Sequence, residues 1–127
     1  YWTALETIKI PSLVTSIGAQ AFYDTNMVSF EVEEGNANFY AEDGVLFRTT
    51  GTENYLVQYP PYKPDEEYTI PEGVIGFDTA QAMSYMQYLK VLNISSDFKS
   101  DLYGKNYFDR SVALEAINVP EENEWLC

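Results

Sequence analysis

Histidine is missing from this chain altogether, and cysteine occurs once, at the final position, Cys127. The first absence removes every histidine-dependent mechanism: the Ser-His-Asp arrangement, the Cys-His pair and the histidine-containing zinc sites. The second rules out an internal disulfide, and it does not decide the compartment. Basic residues are also scarce, seven against 20 acidic ones, for a net charge of −13. Nucleic acid and anionic membrane surfaces would be repelled, so neither is expected as a partner. No apolar run approaches the roughly 18 residues needed to cross a bilayer, so no membrane insertion is expected in this segment. No signal-peptide pattern opens the chain, and no glycine-rich loop precedes a lysine in the manner that cradles phosphate.

What is present argues for a folded domain. The 127 residues are 46% hydrophobic and include 11 tyrosines, which speaks against disorder despite the charge. The organising pattern is a repeat. Leu5-x-x-Ile8-x-Ile10-Pro11-x-x-Val14-x-x-Ile17-x-x-x-Ala21-Phe22 is followed by Met27-x-x-Phe30-x-Val32. Its opening phrase returns at Leu89-x-x-Leu92-x-Ile94 and Leu114-x-x-Ile117-x-Val119. The middle phrase Ile10-Pro11-x-x-Val14 returns as Ile70-Pro71-x-x-Val74. Spacings of this size mark stacked supersecondary units. Each apolar pair alternates along a strand and points inward, the chain turns at the proline, and one coil covers the next.

These phrases, with EDGVLF, LVQYPPYK and YTIPEGVIGF, resemble the BspA-like leucine-rich repeats of bacterial surface proteins. The resemblance covers Leu5 to Val32 closely, Glu42 to Phe77 well and Leu89 to Val119 loosely. It implies an α/β leucine-rich-repeat solenoid of short parallel strands with short helices or turns. It also implies a secreted or cell-surface bacterial protein that recognises other proteins or host surfaces. The chain departs from the family at Ala82-Met83, which stands where Ala-Phe belongs. The asparagines of ordinary leucine-rich repeats have no clear counterpart, since Leu13, Gly35, Asp97 and Glu122 fill the comparable place.

Residues 1–127 are read as one repeat domain or a fragment of a longer array. Tyr1 stands where methionine would open a chain, and Leu114–Leu126 parallels Met27–Tyr40, so further repeats are expected to follow. A short helical turn is expected at Ser16–Phe22. A helix is expected over Thr79–Leu89, with Met83 and Met86 at helical spacing and Thr79 or Asp78 as its cap. Residues 42–62 are read as an inserted β-hairpin, with strands at Gly44–Phe47 and Tyr55–Tyr59. Pro60-Pro61-Tyr62-Lys63-Pro64 then acts as a rigid turn. Asn93-Ile94-Ser95 matches the N-glycosylation pattern.

Carboxylates are the remaining chemistry. Glu33-Glu34, Asp65-Glu66-Glu67 and Glu121-Glu122 could each supply half of a glycosidase pair or a calcium site. None has the alternating loop of a specific calcium site, and adjacent acids in so acidic a chain are ordinarily a solvated face. No enzyme activity, metal or cofactor is therefore assigned. The strand face offers more. With the apolar pairs inward, Thr7, Lys9, Ser29, Glu31, Val91, Asn93, Ala116 and Asn118 point out, forming a candidate binding face for a protein or glycan. Tyr55, Tyr59, Tyr62 and Tyr68 are a second candidate patch. The alternative reading is a carbohydrate-binding or spacer segment of a larger exported protein. The oligomeric state is left open.

Overall fold

The computed structural model describes residues 6–17, 27–78, 82–99, 108 and 110–123. Among them are β1 (Glu6–Ile10), β2 (Met27–Val32), β3 (Phe39–Glu42), β4 (Val45–Thr49), β5 (Asn54–Gln58), β6 (Glu67–Thr69), β7 (Val74–Phe77), β8 (Val91–Asn93) and β9 (Ala116–Asn118), and no helix. The expected α/β class is thereby corrected: the described residues form an all-β solenoid.

The helix expected over 79–89 is replaced by tight turns. Residues 79–81 lie outside the described residues, and the remainder shows why no helix forms. A helix would join the Ala82 carbonyl to the Met86 N–H and the Met83 carbonyl to the Gln87 N–H. Instead the Ala82 carbonyl accepts the Tyr59 N–H at 2.8 Å, and the Gln87 N–H donates to the Pro61 carbonyl at 2.9 Å. Ser111 Oγ donates to the Met83 carbonyl at 2.7 Å and accepts the Met86 N–H at 3.2 Å. Tyr85, at φ 63°, further breaks the run. Met83, Met86 and Leu89 are all fully buried, so their spacing came from turns that each drop one residue into the core. The helical turn expected at Ser16–Phe22 falls mostly outside the described residues, and Ser16 and Ile17 carry no regular structure.

The coils stack through two parallel ladders. One joins β1 to β2, with Ile8 opposite Phe30 and Ile10 opposite Val32. The other runs β6-β8-β9, with Tyr68, Leu92 and Ile117 in line. No ladder joins β2 to β6. The cause lies in the remaining sheet, ordered β3-β4-β5-β7. β3 follows the turn after β2, and β7 follows the turn after β6, so they occupy the same place in successive coils. β4 and β5, antiparallel to each other, stand between them. The two extra strands add about 9–10 Å to the separation of the coils.

β4 and β5 are buried on both faces. Alternation sends Leu46 and Val57 into one core with Ile10, Met27, Phe30 and Phe39. It sends Val45, Phe47 and Leu56 into the other, with Tyr68, Val74, Met83, Leu92 and Phe98. Near-continuous apolar runs are what two-sided burial requires. Each such side chain contributes about 1.5–3 kcal/mol. The turn between β3 and β4 is equally constrained. Asp43 and Gly44 have φ of 53° and 78°, and Glu42 pairs with Val45, the two-residue geometry that Asp-Gly favours.

Turns connecting the ladders to the other side form a column. In each, the fourth N–H meets the first carbonyl: Val14 to Pro11, Asn36 to Glu33, Val74 to Pro71, Phe98 to Ser95 and Asn123 to Pro120. Side chains tie neighbouring turns together. Asn36 Nδ2 donates to the Pro11 and Val14 carbonyls at 2.9 and 3.1 Å. Asn123 Nδ2 does the same to Ser95 and Phe98, both at 2.9 Å. The counterpart of the repeat asparagine therefore exists, one residue beyond Gly35 and Glu122.

Asn123 is fully buried, so Asn123→Asp, which cannot donate, leaves two carbonyls facing an acceptor. We expect it to lower stability by about 2–4 kcal/mol, and Asn36→Asp by about 1 kcal/mol, because water reaches its partly exposed turn. Urea unfolding of both variants measures the difference.

Candidate recognition surface

The outward positions of the two ladders are set by register. Thr7 lies opposite Ser29 and Lys9 opposite Glu31; Val91 lies opposite Ala116 and Asn93 opposite Asn118. Thr7, Lys9, Glu31, Ala116 and Asn118 are exposed, and Ser29, Val91 and Asn93 partly so. The structure brings these residues together as two groups, separated at the break between β2 and β6. Ser29 is partly covered by the β3–β4 turn: a Cβ on Gly44 would come within 2.9 Å of Ser29 Oγ.

Glu67 and Thr69 of β6 share the second group's face, opposite Val91 and Asn93. Sequence reasoning missed them, although the match of Ile70-Pro71 to Ile10-Pro11 places Thr69 where Lys9 stands. Their side chains complete a hydrogen-bonded row. Asn118 Nδ2 donates to Asn93 Oδ1 at 2.9 Å. Asn93 Nδ2 donates to Glu67 Oε2 at 2.8 Å and to Thr69 Oγ1 at 3.2 Å. The same bonds occupy the nitrogen that glycosylation would modify, and Ser95 of that pattern is buried with its hydroxyl on the Val74 carbonyl at 3.3 Å.

The four tyrosines of the second candidate patch occupy three environments. Tyr55 lies under the Arg48 guanidinium at 4.8 Å and donates to Glu53 at 3.0 Å; that bond to a carboxylate holds its phenol above the ordinary range. Arg48 in turn pairs with Asp78 at 2.8 Å. Tyr59 and Tyr68 are buried, edge to face at 5.2 Å. Tyr62 is half-buried and meets the exposed Tyr88 edge-on at 6.3 Å.

Lys63 lies behind the break between the ladders, beside Tyr68 of β6. It is 4% exposed; its ammonium sits 5.8 and 5.7 Å from the Tyr59 and Tyr68 rings. It pairs with Asp65 at 2.9 Å and Asp43 at 3.3 Å. Neither the Tyr59 nor the Tyr68 hydroxyl has a hydrogen-bond partner. Burial, followed by the nearby carboxylates, raises both phenols well above their usual range. The free edge of β2 is capped here too: the Phe30 N–H meets the Gly44 carbonyl and the Tyr62 N–H meets the Met27 carbonyl, both at 2.8 Å.

The acidic groups are dispersed. Glu33 accepts the Ser12 N–H at 2.8 Å, Asp65 faces Lys63, Glu66 lies 3.5 Å from Lys90, and Glu121 and Glu122 are exposed. Among the described residues no three of His, Cys, Asp and Glu are grouped to hold a metal ion. None of the described residues forms a helix long and apolar enough to cross a membrane. A depression of about 200 Å³ lined by Val32, Glu33, Asn36, Phe39 and Tyr40 is smaller than ordinary small-molecule sites.

No protein-family model matches the chain, and no curated protein matches it significantly. Solved structures do. The chain is similar to the crystal structure of the pneumococcal vaccine antigen PcpA, with 31% identity and a TM-score of 0.81 over 93% of this chain and 28% of that one. It is similar to a leucine-rich cell surface protein from Faecalibacterium prausnitzii, with 27% identity and a TM-score of 0.79 over 88% of this chain and 29% of that one. A leucine-rich-repeat protein from Eubacterium ventriosum matches at 24% identity and TM-score 0.56, over 89% of this chain and 36% of that one, and speaks to fold alone. The chain thus spans 28% to 36% of the lengths of these structures. It is a leucine-rich-repeat-like solenoid resembling bacterial surface leucine-rich-repeat proteins.

Two outcomes follow from the contacts. The Ser12 backbone N–H, above all, holds the Glu33 carboxyl below its ordinary value of 4.5. The folded value being the lower one, this stabilisation is complete above pH 4.5 and fades as pH falls through the folded value. Glu33→Gln keeps an acceptor for Ser12 but cannot titrate, so its melting temperature should fall less steeply on the acid side. At Lys63, packing should outweigh charge, because the two carboxylates are substantially exposed and the rings lie near the outer limit of cation–π contact. Lys63→Met should cost less than about 1 kcal/mol, and Lys63→Ala about 2–4 kcal/mol by leaving space beside the tyrosine rings. Chemical denaturation of the pair separates the two contributions.

Proposed function

We propose that this chain is a non-enzymatic recognition module of a secreted or surface-attached bacterial protein of the BspA-like leucine-rich-repeat kind. In this reading residues 1–127 are one repeat domain of a longer array, 42–62 are an insertion within it, and the ligand is a protein met across the outward strand face. The observation that carries the reading is the hydrogen-bonded row Glu67–Asn93–Asn118, continued across the break by Lys9 and Glu31. Side chains fixed before a partner arrives cost less to order on binding. The likeness to a leucine-rich cell surface protein and to a vaccine antigen supports an extracellular setting.

A glycan ligand is less favoured by the tyrosines. Sugar rings stack on flat exposed aromatic surfaces, and the half-buried Tyr62 and exposed Tyr88 meet at 73°, with Tyr59 and Tyr68 buried.

The test is a binding screen of the purified chain against host extracellular-matrix proteins and glycans, repeated with Lys9→Ala, Glu31→Ala and Asn93→Ala combined. A protein target whose affinity falls at least about tenfold in the triple variant, with unfolding temperature held within a few degrees, supports the strand face. Unchanged affinity moves the site off that face, and capture of glycans alone overturns the protein reading.

A further inference from the structure

The break between the ladders leaves an internal strand edge open. In a parallel pair, alternate residues send both backbone groups to the same side. The β8 side of β6 is taken by Glu66, whose carbonyl accepts Val91 N–H at 3.0 Å, and by Ile70, whose N–H meets the Asn93 carbonyl at 2.9 Å, with Tyr68 between them in the ladder. Glu67 and Thr69 therefore turn their N–H and carbonyl groups the other way, toward the break. No described residue pairs with them there, and both are exposed. The outer edges of β1 and β9 are where another coil would stack. The β6 edge is different, because the inserted strands hold the preceding coil away from it.

We propose that this edge is a docking site for an extended basic peptide, which adds as a strand to β6 through Glu67 and Thr69. Charge selects the occupant. Asp43, Asp65, Glu66 and Glu67 are exposed. Among the described residues the cation paired with Asp43 and Asp65, Lys63, is buried beneath them, Lys90 lies 3.5 Å from Glu66 at the surface, and Glu67 meets only the neutral Asn93 amide. A second copy of this chain, at −13, is repelled from the same edge, whereas lysines or arginines alternating along a strand meet the acids while the backbone makes the bonds. The inference deepens the protein-recognition reading by naming a partner class at a site beside the strand face.

A capped peptide of about six residues, an ordinary strand length, with lysine alternating with threonine, is the probe. Its binding to the intact chain is read by fluorescence anisotropy, and its position by amide hydrogen exchange. The expected result is saturable binding that weakens with salt, slowed exchange at the Glu67 and Thr69 amides, and at least about tenfold weaker binding when the probe's edge-facing nitrogens are methylated at unchanged charge. Changing Lys9 and Glu31 to alanine should leave this binding intact, which separates it from the strand-face reading. Absence of binding overturns the proposal. So does binding that is indifferent to backbone methylation or leaves the two amides unprotected, since either would be charge attraction alone.

Discussion

Two strands with both faces in apolar surroundings constrain everything else in this molecule. Leu46 and Val57 look one way and Val45, Phe47 and Leu56 the other, so β4 and β5 are a wall shared by two cores. Neither core closes without that wall. Strands that merely decorated a solenoid would show an apolar face and a polar one. These strands instead lose solvent on both sides, and so the coils before and after them are fastened through β4 and β5 and not through a continuous ladder.

That arrangement has a cost on the opposite side. Holding β3 and β7 two strands apart denies β2 and β6 each other's hydrogen bonds. The chain repairs most of the damage with short-range devices. Gly44 and Tyr62 satisfy the edge of β2, and Gly44 must be glycine both for its positive φ and for its approach to Ser29. Lys63 fills the space behind, its ammonium beside two tyrosine rings. What stays unrepaired is the edge of β6. Two buried tyrosine hydroxyls without partners mark the same region as the one where packing took precedence over polar satisfaction.

Local signals in the sequence carried the periodic part of the fold and failed where a distant partner decides. The phrase Ile-Pro-x-x-Val marks turns at Pro11–Val14 and Pro71–Val74 that the structure closes in the same way. The apolar pairs fall in register, Ile8 with Phe30 and Leu92 with Ile117. By contrast, the methionine spacing at 83 and 86 read as helical because periodicity cannot reveal that Tyr59, Pro61 and Ser111 claim the backbone groups a helix needs. Strand β3 has a weak signal of its own, but Asp43-Gly44 ahead of Val45-Leu46-Phe47 is a hairpin signal that points back to Phe39–Glu42. The bonding asparagines stand one position after Gly35 and Glu122. Met27–Tyr40 and Leu114–Leu126 run parallel, and aligning them sets Asn36 against Asn123. Of the candidate face, single strands could be oriented from alternation, but not the break that divides them.

Size decides how such a face can work. Leaving the break aside, five outward strands at about 4.8 Å each contribute about 24 Å of width, and strands mostly three to five residues long make the face about 10–16 Å tall. That is about 240–400 Å², half or less of the roughly 800 Å² that each partner contributes to a stable interface. The face is also polar and already hydrogen-bonded, so desolvating it returns little unless the partner replaces those bonds. A ligand confined to the strands of this segment would therefore be weakly held. Firm recognition requires either more coils side by side, as repeat architectures ordinarily supply, or a partner that also engages backbone, where an exposed strand edge offers bonds that no side chain has yet taken. The β6 edge is the place in the described fold where such bonds adjoin the face.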